Sequence, residues 1–222
     1  MKNKLVIENL RHVYNDNQVE VQVLKDVNAT FESGKMYAIV GESGSGKTTL
    51  ISLLSALDSI QHGDIKYNGE SINHIGKGVF RLKYVGIVFQ SYNLIKYMTA
   101  RENVEIALDF QKTKSNEKEM AYEILEKVGI NRDEADRLVQ KLSGGQQQRV
   151  AIARAMACDT PIVVADEPTG NLDEDTEGKI LELFKQLADA GKIVIIVTHS
   201  QKVARHADAI VYHMRNGVLS KV

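Results

Sequence analysis

The sequence predicts an α/β protein: a core built on a mostly parallel sheet, an antiparallel β region at its N-terminus, and a helical subdomain inserted into the core. Three observations lead there. Short apolar runs at residues 36–40, 162–165 and 193–198 have the length of buried strands, and helix-periodic segments separate them. Residues 5–14 and 21–31 alternate loosely between apolar and polar, as half-buried strands do. Residues 99–158 carry helical periodicity, with connections rich in Lys, Glu, Asn and Asp.

In chain order, Val27, Ala29 and Phe31 share one face of the second run. The run at 36–40 leads straight into a Gly-rich stretch from Gly41 to Gly46. A helix is then expected from near Lys47, carrying Leu50, Leu53, Leu54 and Leu57. Short strands are expected near Ile65 and over 85–89. Segment 117–128 places Ile124, Leu125 and Val128 on one helical stripe. The core resumes with the strand at 162–165, a helix over 176–188 and the strand at 193–198. Residues 210–214 and 218–220 flank Asn216-Gly217, a hairpin pair. Together these predict a single domain over 1–222, with the α/β core at 1–90 and 159–222 and the helical subdomain at about 91–158.

Composition narrows the function classes. The 222 residues are 43% hydrophobic, enough for a sizeable core, and the formal net charge of −1 supplies no overall basic field for nucleic acid. The one cysteine, Cys158, has no intrachain partner and suits a reducing compartment; following an Ala-rich helical stretch, it is expected to be a small buried side chain, not a reactive thiol. Residues 1–10 lack the 7–15-residue apolar core of a secretory signal. In the C-terminal half the longest apolar run, 193–197, is far short of the ~20 residues of a membrane helix. A cytoplasmic protein is expected.

Gly41-Glu42-Ser43-Gly44-Ser45-Gly46-Lys47-Thr48 fits G-x-x-x-x-G-K-[ST], between a strand and a helix. Glycines let successive N–H groups turn into one concavity, at the positive end of the helix that follows. Lys47 is placed for the β- and γ-phosphates of a nucleotide and Thr48 for Mg²⁺. The motif predicts a P-loop NTPase core. A flexible Gly/Ser loop does not require Lys-Thr at the start of an apolar helix.

The run at 162–165 delivers Asp166 and Glu167 to the carboxyl edge of the sheet, where ligands bind. Asp166 is placed to hold Mg²⁺ and Glu167 to act as a general base toward water. The plainer alternative has both carboxylates capping a helix, but Pro168 follows at once. A second candidate anion site is Leu142-Ser143-Gly144-Gly145-Gln146 ahead of a helical run, with Ser143 as an ordinary N-cap the alternative reading.

Leu142 to Gln146 resembles the signature motif of ABC ATPases, and the order P-loop, signature, acid pair is also theirs. The resemblance covers essentially the whole chain. It implies an ATPase in which Ser143, Gly144, Gly145 and Gln146 of one subunit close over ATP held by the P-loop, Ser43 to Thr49, of a second copy. It further implies that Tyr14 stacks on adenine, that Gln90 touches Mg²⁺ or water, and that Asp173 speaks across the dimer. His199, the one histidine that follows a buried strand, is implied to bond the γ-phosphate and order the water. The remaining histidines (His12, His62, His74, His206, His213) lack metal-ligand spacing and are expected to be surface or satisfied core residues.

Glu167-Pro168-Thr169-Gly170-Asn171-Leu172-Asp173 and the glutamines at 146–148 resemble the branch of lipoprotein-release, macrolide-export (MacB-like) and cell-division ATPases. Import ATPases share most of these motifs. Two departures stand out: Thr48 replaces the usual serine of that branch, and Gln140-Lys141 stands where an aromatic and a proline are common. DNA-repair relatives carry long insertions and translation-factor relatives carry two ATPase domains, and this chain has neither. The resemblance implies a homodimer beneath an integral membrane permease, on the inner face of the membrane, with no nucleic acid partner. The apolar, aromatic segment 91–98 after Gln90 is the expected contact with that permease, the alternative being that Leu94, Ile95 and Met98 pack the helical subdomain onto the core.

Overall fold

A computed structural model describes residues 3–16, 19–110, 116–170, 172–200, 203 and 209–222. His206 and Asn171 lie outside the described residues. Two strands open the chain, β1 (Lys4–Asp16) and β2 (Val19–Glu32), followed by β3 (Lys35–Val40) and α1 (Lys47–Leu54). Next come β4 (His62–Tyr67), β5 (Glu70–Ser71), α2 (Ile72–Ile75), α3 (Lys77–Lys83) and β6 (Val85–Val88). The inserted helices are α4 (Ala100–Phe110), α5 (Glu117–Lys127), α6 (Arg132–Ala135) and α7 (Gly144–Ala157). The chain closes with β7 (Ile162–Asp166), α8 (Glu174–Asp189), β8 (Ile193–Thr198), β9 (Ile210–Arg215) and β10 (Val218–Lys221).

One sheet is antiparallel in the order β2-β1-β4-β5, and the other runs β10-β9-β3-β8-β7-β6. From β9 to β6 every pairing is parallel, and β10 turns back antiparallel at the edge. β3, which feeds the P-loop, is therefore central, with β8 on one side and β9 on the other.

Alternate residues of the central strands belong to different cores. Ile162, Val164, Ile193, Ile195 and Val197 face a cluster with α1, β1 and β2. Val163, Ala165, Val194 and Ile196 face a second cluster with α4, α5, α7 and α8. Fully burying each of these valine and isoleucine side chains contributes ~1.5–3 kcal/mol. The inserted helices thus have no separate core: Val104, Leu125 and Val150 pack in the same cluster as the sheet.

Three local expectations need correction. The helix after the P-loop stops at Leu54, because Ser55 caps it and Ala56 turns left-handed at φ 52°, so Leu57 points out to solvent. α2 and α3 were not expected: each is short, Gly76 at φ +88° breaks them apart, and Phe80 alone anchors α3 in the core. His12 is neither surface nor satisfied: it is 2% exposed and both ring nitrogens lack a hydrogen-bond partner.

Candidate functional site

Two glycines of the P-loop are dictated by space. A Cβ on Gly41 would stand 2.4 Å from the Met214 carbonyl, and one on Gly46 would stand 2.9 Å from that of Val23. Gly46 also takes φ 106° as the residue that caps α1. No side chain caps this helix and its first turn holds no acidic residue, so its positive end is open to an anion. Lys47 Nζ donates to the carbonyls of Gly41 at 2.7 Å and Glu42 at 2.8 Å, which folds the side chain along its own loop.

Beside that loop is a cavity of about 420 Å³ lined by Ser43, Gly44, Gly46, Lys47, Thr48 and Thr49 together with Gln90, Asp166, Glu167 and His199. With Val23 of β2 completing the wall, the P-loop and the carboxyl ends of β6, β7 and β8 therefore converge. Parallel pairing of these strands brings their C-terminal ends to one edge. Tyr14 stands at the margin, 43% exposed, with its phenol oxygen 3.5 Å from Thr49 Oγ1. It is not a core aromatic.

The acid pair is asymmetric. Burial pushes the Asp166 carboxyl above its ordinary pKa, the neighbouring Glu167 charge adds to this, and Lys47 opposes it. Glu167 sits just beyond β7 in the left-handed region, at φ 45°, with its N–H donating to the Val197 carbonyl at 2.8 Å. Its Oε1 accepts from the His199 N–H at 2.8 Å and lies 2.8 Å from His199 Nδ1, while Oε2 accepts from Thr198 Oγ1 at 2.9 Å. Sequence reasoning missed Thr198; its one signal was a hydroxyl ending an otherwise apolar strand.

The signature residues are elsewhere. Ser143, Gly144, Gly145 and Gln146 do not line the cavity, and neither does Asp173. Ser143 caps α7 in a reciprocal box: its Oγ accepts from the Gln146 N–H at 3.2 Å, and Gln146 Oε1 accepts from the Ser143 N–H at 2.8 Å. The plain cap and the open helix N-terminus are thus one structure, since the Ser143 hydroxyl keeps its own proton to donate. Asp173 caps α8 through the Thr176 N–H at 3.0 Å, which lowers its pKa.

Arg154, on the signature helix, was also missed. Its guanidinium donates to the carbonyls of Tyr92 at 3.1 Å and Asn93 at 2.6 Å, two consecutive residues with positive φ just after Gln90. Of segment 91–98, Leu94 packs on the core while Tyr97 is 79% exposed. Burial pushes the Cys158 thiol above its ordinary pKa, as suits a structural role.

The family described as ABC transporter matches residues 24–170. The chain is 51% identical over 188 residues to the uncharacterized ABC transporter ATP-binding protein YclH of Bacillus subtilis, covering 84% of this chain and 83% of that one. It is 39% identical over 226 residues to the lipoprotein-releasing system ATP-binding protein LolD of Francisella tularensis, covering 98% and 96%. Its fold is similar to the dimeric structure of MJ0796, a bacterial ABC transporter cassette, with TM-score 0.90, 35% identity and 98% of both chains covered. A second MJ0796 structure, a post-hydrolysis state bound to ADP and Pi, matches at TM-score 0.90 and 34% identity. With the P-loop, the acid pair and the signature on one such fold, the chain belongs to the ABC transporter family.

Proposed function

We propose that this protein is the ATP-hydrolysing subunit of an ABC transporter, closing as a dimer over two ATP molecules and driving a separate membrane permease. One observation carries the reading: the cavity gathers phosphate-binding and acid-base groups, while the exposed N-terminus of α7, capped by Ser143, lies outside it. A second copy would bring its Ser143, Gly144, Gly145 and Gln146 to the exposed side of the nucleotide, with its Asp173 beside them. The dimeric state of the similar MJ0796 structure supports this arrangement.

Within the cavity, P-loop N–H groups and Lys47 would bind the phosphates, and Tyr14 would stack on the base. The Thr48 hydroxyl, the Asp166 carboxylate and the Gln90 amide are hard oxygen donors converging on one space, a set that fits Mg²⁺. Bound there, the ion would neutralise charge on the β- and γ-phosphate oxygens. Glu167, oriented by His199 and Thr198, would take a proton from water as the water oxygen bonds to the γ-phosphorus. The bond from that phosphorus to the β-phosphate bridging oxygen breaks, leaving ADP and phosphate.

Among the described residues no helix is long and apolar enough to cross a membrane. A membrane permease is part of the reading, with this subunit on the cytoplasmic face and residues 91–158 as the helical subdomain that meets it. Similarity to LolD favours the export or mechanotransmission branch.

The test is a crosslink. With Cys158→Ser as background, Ser143→Cys on one subunit and Ser43→Cys on the other should join on oxidation when ATP is present, and not without it. Crosslinks that never form, or that ignore ATP, would sink the shared-site dimer.

A further inference from the structure

His12 is an anomaly on β1. It is 2% exposed, and neither Nδ1 nor Nε2 has a hydrogen-bond partner. Buried polar atoms are nearly always paired, so an exception calls for a reason. Leucine would fill such a space with no orphaned nitrogen.

The surroundings supply the reason. The β1–β2 register shifts on both sides of His12, between Leu10 and His12 and again between His12 and Val13. Such irregularities re-aim side chains. Here they turn the imidazole inward beneath Tyr14, with ring centroids 4.6 Å apart and planes at 69°, an edge-to-face contact. The Asp58 carboxylate lies 3.7 Å from His12 Nε2. At Val13, which separates the two in sequence, the Gln61 side chain clasps the backbone, accepting from its N–H at 2.7 Å and donating to its carbonyl at 2.9 Å. The phenol end of Tyr14 reaches Thr49 of α1.

We infer that His12 is a positioning residue for the nucleotide base: its ring, flanked by Asp58, fixes the plane of Tyr14 on which the base stacks. This rests on the reading of Tyr14 as the stacking aromatic. An exposed tyrosine at the end of a β-ribbon has many rotamers and loses entropy on binding a flat ligand. An edge-to-face partner below it removes that freedom beforehand. The segment 58–61 that follows α1 is thus part of the base platform, so the loop after the phosphate helix also serves the other end of the nucleotide.

The experiment uses the full chain with Mg²⁺ and two probes, ATP and inorganic tripolyphosphate, which lacks the base. His12→Leu should weaken ATP binding about threefold to tenfold, the range of one aromatic pair, and leave tripolyphosphate binding unchanged. His12→Phe, which keeps a flat ring, should restore most of the loss. In the unmodified protein, the His12 imidazole NMR signals, assigned against His12→Phe, should shift with ATP and not with tripolyphosphate. Equal losses for both probes, normal ATP binding by His12→Leu, no rescue by His12→Phe, or a signal that responds to both ligands alike would each overturn the inference. Tyr14→Ala separates the two ideas. If it binds ATP normally, the stacking reading fails and the role of His12 falls with it. If it weakens ATP while His12→Leu does not, only the role of His12 is lost.

Discussion

His199 meets one oxygen of Glu167 twice, since its backbone N–H and its ring Nδ1 each lie 2.8 Å from Oε1. A backbone contact cannot be removed by substituting the side chain, so the carboxylate stays tied to the end of β8 even in a His199 variant. The ring adds what the backbone lacks, a group that can pivot toward a bound phosphate.

Glu167→Gln keeps the shape of the carboxylate but loses its basicity. ATP affinity should stay near that of the unmodified protein while turnover falls by about 100-fold or more, the usual worth of a general base. Phosphate release and a binding isotherm measured together check this. The variant should also elute as a lasting dimer with Mg²⁺ and ATP. Turnover at the unmodified rate would remove Glu167 from the mechanism.

Thr198→Val leaves β8 packed but takes the donor from Glu167 Oε2. Thr198 is 1% exposed, so no water replaces the hydroxyl. Hydrogen bonds to charged groups contribute ~1.5–3 kcal/mol, and a loss of that size in orienting the base predicts a roughly tenfold or larger fall in turnover. ATP affinity should hold. An equal loss of affinity would mean that β8 itself had shifted.

Asp166→Asn should kill turnover yet stabilise the nucleotide-free protein. The native carboxyl titrates above its unfolded value, chiefly through burial. Below the ordinary carboxylate range both states are protonated and Asp166 carries no penalty. As pH rises through the raised native pKa, the folded state must hold a charge that burial disfavours, and stability is lost relative to asparagine. Thermal unfolding across pH should show the gain of Asp166→Asn largest at neutral pH and fading in acid. A constant difference, or one that grows in acid, contradicts the assignment.

Tyr97→Glu tests the permease contact. Because Tyr97 is 79% exposed, the change should leave melting temperature and ATP affinity alone. Co-purification with the permease in detergent should be lost. Leu94 is unsuited to the same test, since it packs on the core and a polar residue there destabilises the subunit.

Local pattern made most of the framework legible. Apolar runs of four or five residues marked β3, β7 and β8, and the P-loop announced itself because every residue it needs is contiguous. Short helices escaped: α2 and α3 carry too few turns for a period, and Leu57 fits the helical spacing of a helix that had already ended. What acts on the site from a distance escaped as well. Thr198 reaches Glu167 across 31 positions, and Arg154 reaches Asn93 across 61. No spacing rule encodes such contacts, because the sheet order and the placement of α7 create them. The burial of His12 was hidden for a related reason, since a register shift and not simple alternation turns it inward.

The division of the core by the central sheet has a bearing on inheritance. Residues behind the phosphate helix pack on one face, while α7 and Leu94, behind the signature and the exposed Tyr97, pack on the other. If the helical face meets the permease as proposed, substitutions that refit it to a different membrane protein fall in a cluster other than the one that holds α1. A lineage of such subunits can therefore change the machine it powers while its fuel chamber stays as it was, and the thin layer of β7 and β8 is where the two histories must agree.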